Sequence, residues 1–177
     1  DNVTYSPGSV AEYTVMLMLM AIRKTKAILE RSAAQDYSLR EVRGRELRNL
    51  TVGVMGTGRI GRAVIKILAG FGCRILAYDL SENRETKNLA EYAPMGRLFA
   101  ESDIITLHMP ATDDNFHMID KDAIALMKDG AYVINTARGA LIDSWALIDA
   151  IESGKLSGAA LDVIENEAAL YYNDLKF

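Results

Sequence analysis

Three glycines, Gly56, Gly58 and Gly61, stand in the spacing G-x-G-x-x-G within "GTGRIG". The stretch directly follows "LTVGVM", a short apolar run, and opens "RIGRAVIKILAGFG", a helix-like run that closes on glycine. The next apolar run, "CRILAYD", ends in Asp79, 18 residues after Gly61. Glycine spacing alone is a weak signal, but strand, loop, helix and terminal acid together make the dinucleotide fingerprint. Gly56 would form the tight turn, Gly58 would let the backbone approach a pyrophosphate, and Gly61 would let the helix pack on the strand. The N–H groups and positive dipole end of the helix that begins at Arg59 and Ile60 would receive the phosphates. Asp79 can accept both hydroxyls of an adenosine ribose, and its charge would repel a 2′-phosphate. NAD is therefore expected over NADP.

A second feature is Arg138 in "NTARGALID", where the strand-like "AYVIN" ends among residues too small to shield a guanidinium. Taken by itself, such an arginine reads as the partner of a surface acid.

The elements that must hold these residues follow one pattern. Short apolar strands, "LTVGVMG", "CRILAYD", "SDIITLHMP", "AYVIN" and "LSGAALDVI", alternate with helices, "RIGRAVIKILAGFG", "DKDAIALMKDG" and "DSWALIDAIESGK". Five strands in this order predict an α/β, doubly wound parallel sheet covered on both faces. Upstream, "SPGSVAEYTVMLMLMAIRKTKAILERSAAQ" places Ser9 and Glu12 in capping-box spacing. It predicts one long helix over 9–33, apolar on nearly every side in its middle, with one face for the sheet and another either open to a partner subunit or buried as in a plain core helix. Residues 1–8 read as an entering linker, 50–167 as the dinucleotide-binding core and 168–177 as the start of an exit segment.

Composition narrows the class. The 177 residues, 50% hydrophobic and 25% charged, suit one domain with a real core. Net charge is −4 and the basic residues are scattered, which argues against nucleic acid. The single cysteine, Cys73, cannot form an internal disulfide, and no Cys/His cluster suggests a metal. A reducing, cytoplasmic setting is the default. The apolar run "VMLMLMAI" is too short to span a bilayer. A start at Asp1 without methionine and a stop at Phe177 suggest a piece of a longer protein.

The remaining strand ends carry a resemblance. "LHMPATDDNFHMI" (107–119), "VINTARGALID" (133–143) and "SGAALDVIENE" (157–167) together resemble the D-isomer-specific 2-hydroxyacid dehydrogenases. Within that family "YSPGSVAEYTVMLMLMAIR", "TVGVMGTGRIG" and "GFGCRILAYD" are most similar to D-lactate dehydrogenases, including the type found in glycopeptide-resistance operons. The resemblance covers essentially the whole chain. It implies a Rossmann NAD-binding domain that is inserted into a separate substrate domain, absent here, and that dimerises in this family.

It also implies roles. Arg138 matches the substrate-binding arginine, whose planar fork can grip the carboxylate and carbonyl oxygen of a 2-oxo acid as lysine cannot. Glu167 matches the catalytic glutamate that orients a histidine and raises its pKa for service as a general acid. That histidine would lie beyond this chain. His108 and His117 are not promoted to the role. Asn166 stands where many relatives carry glycine. Asp162 matches the residue near the nicotinamide carboxamide, and Met109, Pro110 and Asn115 the cofactor-lining loop. Thr136 and Ala137 match the nicotinamide ribose edge, and Arg59 with Ile60 the pyrophosphate loop. On residue chemistry alone Asp162 could equally be a cap and Pro110 a strand terminator. The function expected is hydride transfer between NAD(H) and a small 2-oxo acid, with pyruvate first and the precursors of 2-hydroxyisocaproate or phenyllactate as alternatives. The chain alone would bind cofactor but turn over negligibly. An NAD-regulated corepressor of the same fold is the competing class.

Overall fold

A computed structural model describes residues 6–38, 40 and 42–165. Its centre is a six-stranded, wholly parallel sheet: β1 (Thr51–Met55), β2 (Arg74–Tyr78), β3 (Glu91–Tyr92), β4 (Ile104–Leu107), β5 (Ala131–Asn135) and β6 (Leu156–Leu161). The spatial order is β3-β2-β1-β4-β5-β6, so the chain reverses direction across the sheet between β1 and β4. Ligands of such sheets sit outside the C-terminal strand ends at that reversal.

Alternation within the strands supplies two cores. Val52 and Val54 of β1, Ile104 of β4, and Tyr132 and Ile134 of β5 face one way. There they meet α1 (Pro7–Ile22) and α3 (Arg59–Phe71) through Met18, Ile22, Val64 and Leu68. Met55, Ile105, Leu107 and Val133 face the other way. They meet α4 (Met95–Glu101), α5 (Lys121–Leu126) and α6 (Ser144–Glu152) through Leu98, Phe99, Ile124 and Leu147. Both faces are buried, which is why the strands read as continuous apolar runs.

The expected fold class is present, with three corrections. The long helix is two. After α1 the chain passes through Lys24 in left-handed conformation, φ 54°, and resumes as α2 (Thr25–Ala33). The Arg45 N–H takes the carbonyl of Ile22 at 3.0 Å, and Gly44 packs on the Arg23 backbone. The returning chain thus claims the acceptor that a continuous helix would have used. Second, α1 starts at Pro7 rather than Ser9, with Ser6 before it and no side-chain cap. Proline suits this place because the first N–H of a helix has no intrahelical acceptor. Third, β3 and α4 were not foreseen. The first has two residues, and the second is entered through Pro94 without a side-chain cap. Aspartates cap the starts of two later helices. Asp120 accepts from the Ala123 N–H, and Asp143 accepts from those of Trp145 and Ala146.

Candidate cofactor and substrate site

At the C-terminal end of β1 the chain turns through Gly56 with φ 95°. A β-carbon here would meet the His108 carbonyl oxygen at 2.4 Å, so the turn is pressed against the chain leaving β4. At Gly61 a β-carbon would lie 1.8 Å from the Gly56 oxygen, and this contact lets α3 start directly under the loop. Gly58 differs: nothing stands within 4 Å of its missing β-carbon. The loop is therefore tight on its protein side and open on its outer side, with Arg59 exposed and Ile60 half-buried behind it. That is a cradle which a side chain at Gly58 would fill and a pyrophosphate can occupy. The dinucleotide fits the residues present.

A cleft of about 470 Å³ opens beside this loop. It gathers Gly56, Gly58, Asp79, Met109, Pro110 and Asn115 from the expected set. Tyr78, Met95 and Met118 line it too, residues whose types and spacing give no sign of it in the sequence. Asn115 shapes its wall: its amide donates to the Pro110 carbonyl at 2.8 Å and accepts the Thr112 N–H at 2.8 Å. His108 also lines the cleft, with Nε2 2.8 Å from the Thr106 hydroxyl, and burial pushes its pKa down to about 4. The imidazole is therefore neutral near pH 7.

Asp79 is held by a network that the sequence did not reveal. One carboxylate oxygen accepts the Thr57 N–H at 2.6 Å and the Thr57 hydroxyl at 3.0 Å. The Tyr92 hydroxyl lies 2.7 Å from that of Thr57 and itself accepts the Asn83 N–H at 2.9 Å. The other oxygen accepts the Ser81 N–H at 3.1 Å. Burial pushes this carboxyl upward, but the N–H donors of Thr57 and Ser81 and the Thr57 hydroxyl outweigh it, and the pKa falls below the usual value. Asp79 is thus a fixed anion at the end of β2.

Arg138 follows the end of β5. Buried Asn135 shapes its approach, accepting the Ala137 N–H at 3.0 Å and donating to the Arg138 carbonyl at 2.9 Å. Thr136 is held from behind by Thr14 of α1, whose hydroxyl lies 2.8 Å away. The Arg138 side chain is exposed, and its guanidinium touches the Ala137 carbonyl at 2.7 Å. Among the described residues no carboxylate pairs with it. Asp162 lies just past β6, its N–H bound to the Asn135 carbonyl at 3.0 Å and its side chain exposed. The nucleotide cleft and the Arg138 loop lie at the C-terminal edge of neighbouring strands, although Gly61, Thr136, Ala137, Arg138 and Asp162 do not line the cleft itself. Glu167 and Asn166 fall outside the described residues.

Among the described residues no helix is long and apolar enough to cross a membrane, and no cluster of His, Cys, Asp and Glu suits a metal ion.

The chain is similar to known proteins over nearly its whole length. The D-specific alpha-keto acid dehydrogenase of Enterococcus faecalis is 54% identical over 98% of the chain and 52% of its own length. The aromatic 2-oxoacid reductase of Clostridium sporogenes is 52% identical over 96% of the chain and 52% of its own length. Among solved structures, the D-lactate dehydrogenase of Aquifex aeolicus complexed with NAD and lactic acid superposes with TM-score 0.93 at 42% identity, covering 98% of this chain and 54% of that one. The chain spans about half the length of the curated relatives it matches. Residues 15–175 match the family model for the NAD binding domain of D-isomer specific 2-hydroxyacid dehydrogenases, and the chain belongs to that family.

Proposed function

We propose that this chain is the cofactor-holding part of a dehydrogenase that reduces a small 2-oxo acid to the D-2-hydroxy acid. The observation that carries this reading is an exposed guanidinium without an acid partner among the described residues, on a loop braced by Asn135, at the sheet edge that also holds the glycine cradle. When bound, NADH supplies the hydride. The Gly56–Gly61 loop and the start of α3 hold the pyrophosphate, and Asp79 accepts the adenosine ribose hydroxyls. Met109, Pro110 and Asn115 wall the cleft, while Thr136, Ala137 and Asp162 border the nicotinamide end. Arg138 binds the carboxylate of the 2-oxo acid and polarises its carbonyl, a bidentate task that suits its fork. Glu167 orients a histidine supplied from outside this chain, which donates the proton to the carbonyl oxygen.

Pyruvate is the first candidate substrate. The names of the relatives, an alpha-keto acid dehydrogenase and an aromatic 2-oxoacid reductase, support testing phenylpyruvate and branched 2-oxo acids beside it. Homodimerisation through α1 belongs to the same proposal. Tyr13, Met16 and Met20 fall at i, i+3 and i+7 on its outer side and are 40%, 44% and 40% exposed, an apolar stripe suited to a second copy. So does a reducing, cytoplasmic setting, suggested by the free Cys73 thiol.

The test is NADH-dependent reduction of a 2-oxo acid panel by the intact polypeptide that carries this domain, with Arg138→Lys beside it. Reduction by the wild type, with kcat/KM lowered about 100-fold or more in the lysine variant, supports the assignment. An unaffected kcat/KM in the variant would defeat the role of Arg138.

A further inference from the structure

Three separated stretches meet beside Arg138. The first is 117–119. His117 takes a left-handed backbone, φ 51°, which histidine tolerates better than most residues. Its N–H bonds the Ala140 carbonyl at 2.9 Å, and its ring stacks on Phe116 with centroids 3.8 Å apart. The second stretch is 139–144, paired to the first through the Ile119 N–H on Leu141 and the Asp143 N–H on Ile119, both at 3.0 Å. The third is the chain leaving β6. At Gly139 a β-carbon would stand 2.1 Å from the Ile164 carbonyl oxygen, so the chain leaving β6 lies directly on the residue after Arg138.

Glu165 ties all three together. One carboxylate oxygen meets His117 Nε2. The other accepts the hydroxyl of Ser144 at 2.6 Å and its N–H at 3.2 Å, at the first turn of α6. These contacts are half-buried and use both carboxylate oxygens. Neither His117, Ser144 nor Glu165 lines the cofactor cleft.

We propose that Glu165, His117 and Ser144 form a clamp that fixes the chain leaving β6 against the loop that carries Arg138, and so act as positioning residues for 2-oxo acid binding. The inference rests on the substrate role given to Arg138. If the clamp opens, the stretch around Ile164 and Glu165 loses its fixed place against the loop that carries Arg138, whereas the glycine cradle and Asp79 stay in place. The defect should therefore fall on the oxo acid and spare the dinucleotide.

The experiment uses the intact polypeptide with Glu165→Ala, Glu165→Gln and Ser144→Ala. Glutamine can still accept from Ser144 and donate to a neutral His117, so it should rescue what alanine loses. The alanine variants are expected to lower kcat/KM for pyruvate or phenylpyruvate by about 10–100-fold, mainly through KM, with the NADH dissociation constant unchanged. Amide exchange at His117, Ile119 and Asp143 should quicken at least about tenfold in Glu165→Ala and return toward wild type in Glu165→Gln. Unchanged exchange overturns the clamp. Faster exchange with unchanged kcat/KM, or a parallel loss of NADH affinity, overturns the positioning role. If the wild type reduces no 2-oxo acid, the functional reading fails while amide exchange still decides whether the clamp exists. Should Glu165→Ala not fold, Ser144→Ala carries the same measurements.

Discussion

The Thr14 hydroxyl of α1 lies 2.8 Å from the Thr136 hydroxyl at the end of β5, across 122 residues of sequence. Thr14 is fully buried and also donates to the Val10 carbonyl of its own helix at 2.8 Å. Thr136 therefore donates to Thr14, and the loop that carries Arg138 is pinned to a helix on the far side of one core. Thr14→Val keeps the shape but leaves the Thr136 hydroxyl short of its partner. It should lower stability by about 1–3 kcal/mol, read from the urea midpoint at constant m-value.

The glycines of the cradle should separate folding from binding. In Gly61→Ala the new methyl meets the Gly56 oxygen, so thermal midpoint and NADH affinity should fall together. In Gly58→Ala the methyl enters open space. There the midpoint should stay close to wild type while NADH affinity drops at least about tenfold, as titration by fluorescence would show. Equal NADH affinity in Gly58→Ala and wild type would falsify the cradle assignment.

His108 predicts a pH dependence. Its folded pKa is pushed down to about 4 by burial, below the unfolded value of about 6.5. Between those values the unfolded chain binds the proton and the folded chain does not, so stability falls as pH drops from 6.5 toward 4 and is complete above 6.5. The full effect is on the order of 3 kcal/mol. A His108→Gln variant should show a flatter profile across that window in denaturant titrations at successive pH values.

Cofactor choice should turn on Asp79. Replacing it by alanine removes the fixed anion that Thr57 and Ser81 hold in place. NADH should bind more weakly and NADPH less unfavourably, narrowing the preference by about tenfold or more in parallel titrations. Equal affinity of the wild type for both nucleotides would remove Asp79 from this role.

The stripe on α1 gives an assembly prediction. Met16→Lys places a charge amid Tyr13 and Met20, where it stays hydrated in a monomer but would be desolvated between two copies. Light scattering should find a dimer for the wild type and a monomer, still folded by circular dichroism, for the variant.

Much of this was readable from the chain because the informative residues act locally. Gly56, Gly58 and Gly61 announce a backbone path, and Asp79 follows at the end of the next strand. The alternation of short apolar runs with helices forces a parallel sheet. What escaped depends on partners distant in sequence. Nothing near Tyr92 announces that its hydroxyl will brace Thr57, 35 residues away, and Thr14 reads as one more small residue in an apolar helix. The break at Lys24 escaped because its cause, the Arg45 N–H arriving at Ile22, comes from a segment with no pattern of its own. His117 and Glu165 are unremarkable charged-loop residues until the fold brings them together across 48 positions.

Asn135 has an entropic consequence. Its single amide closes the bend before Arg138 in both directions, with one donor and one acceptor, while almost wholly shut away from water. The peptide path is therefore fixed by the chain itself, and an arriving anion need only still the rotatable bonds of one long side chain. Recognition at this edge should thus resemble a hand closing on a fixed wrist, with little backbone ordering to offset the attraction.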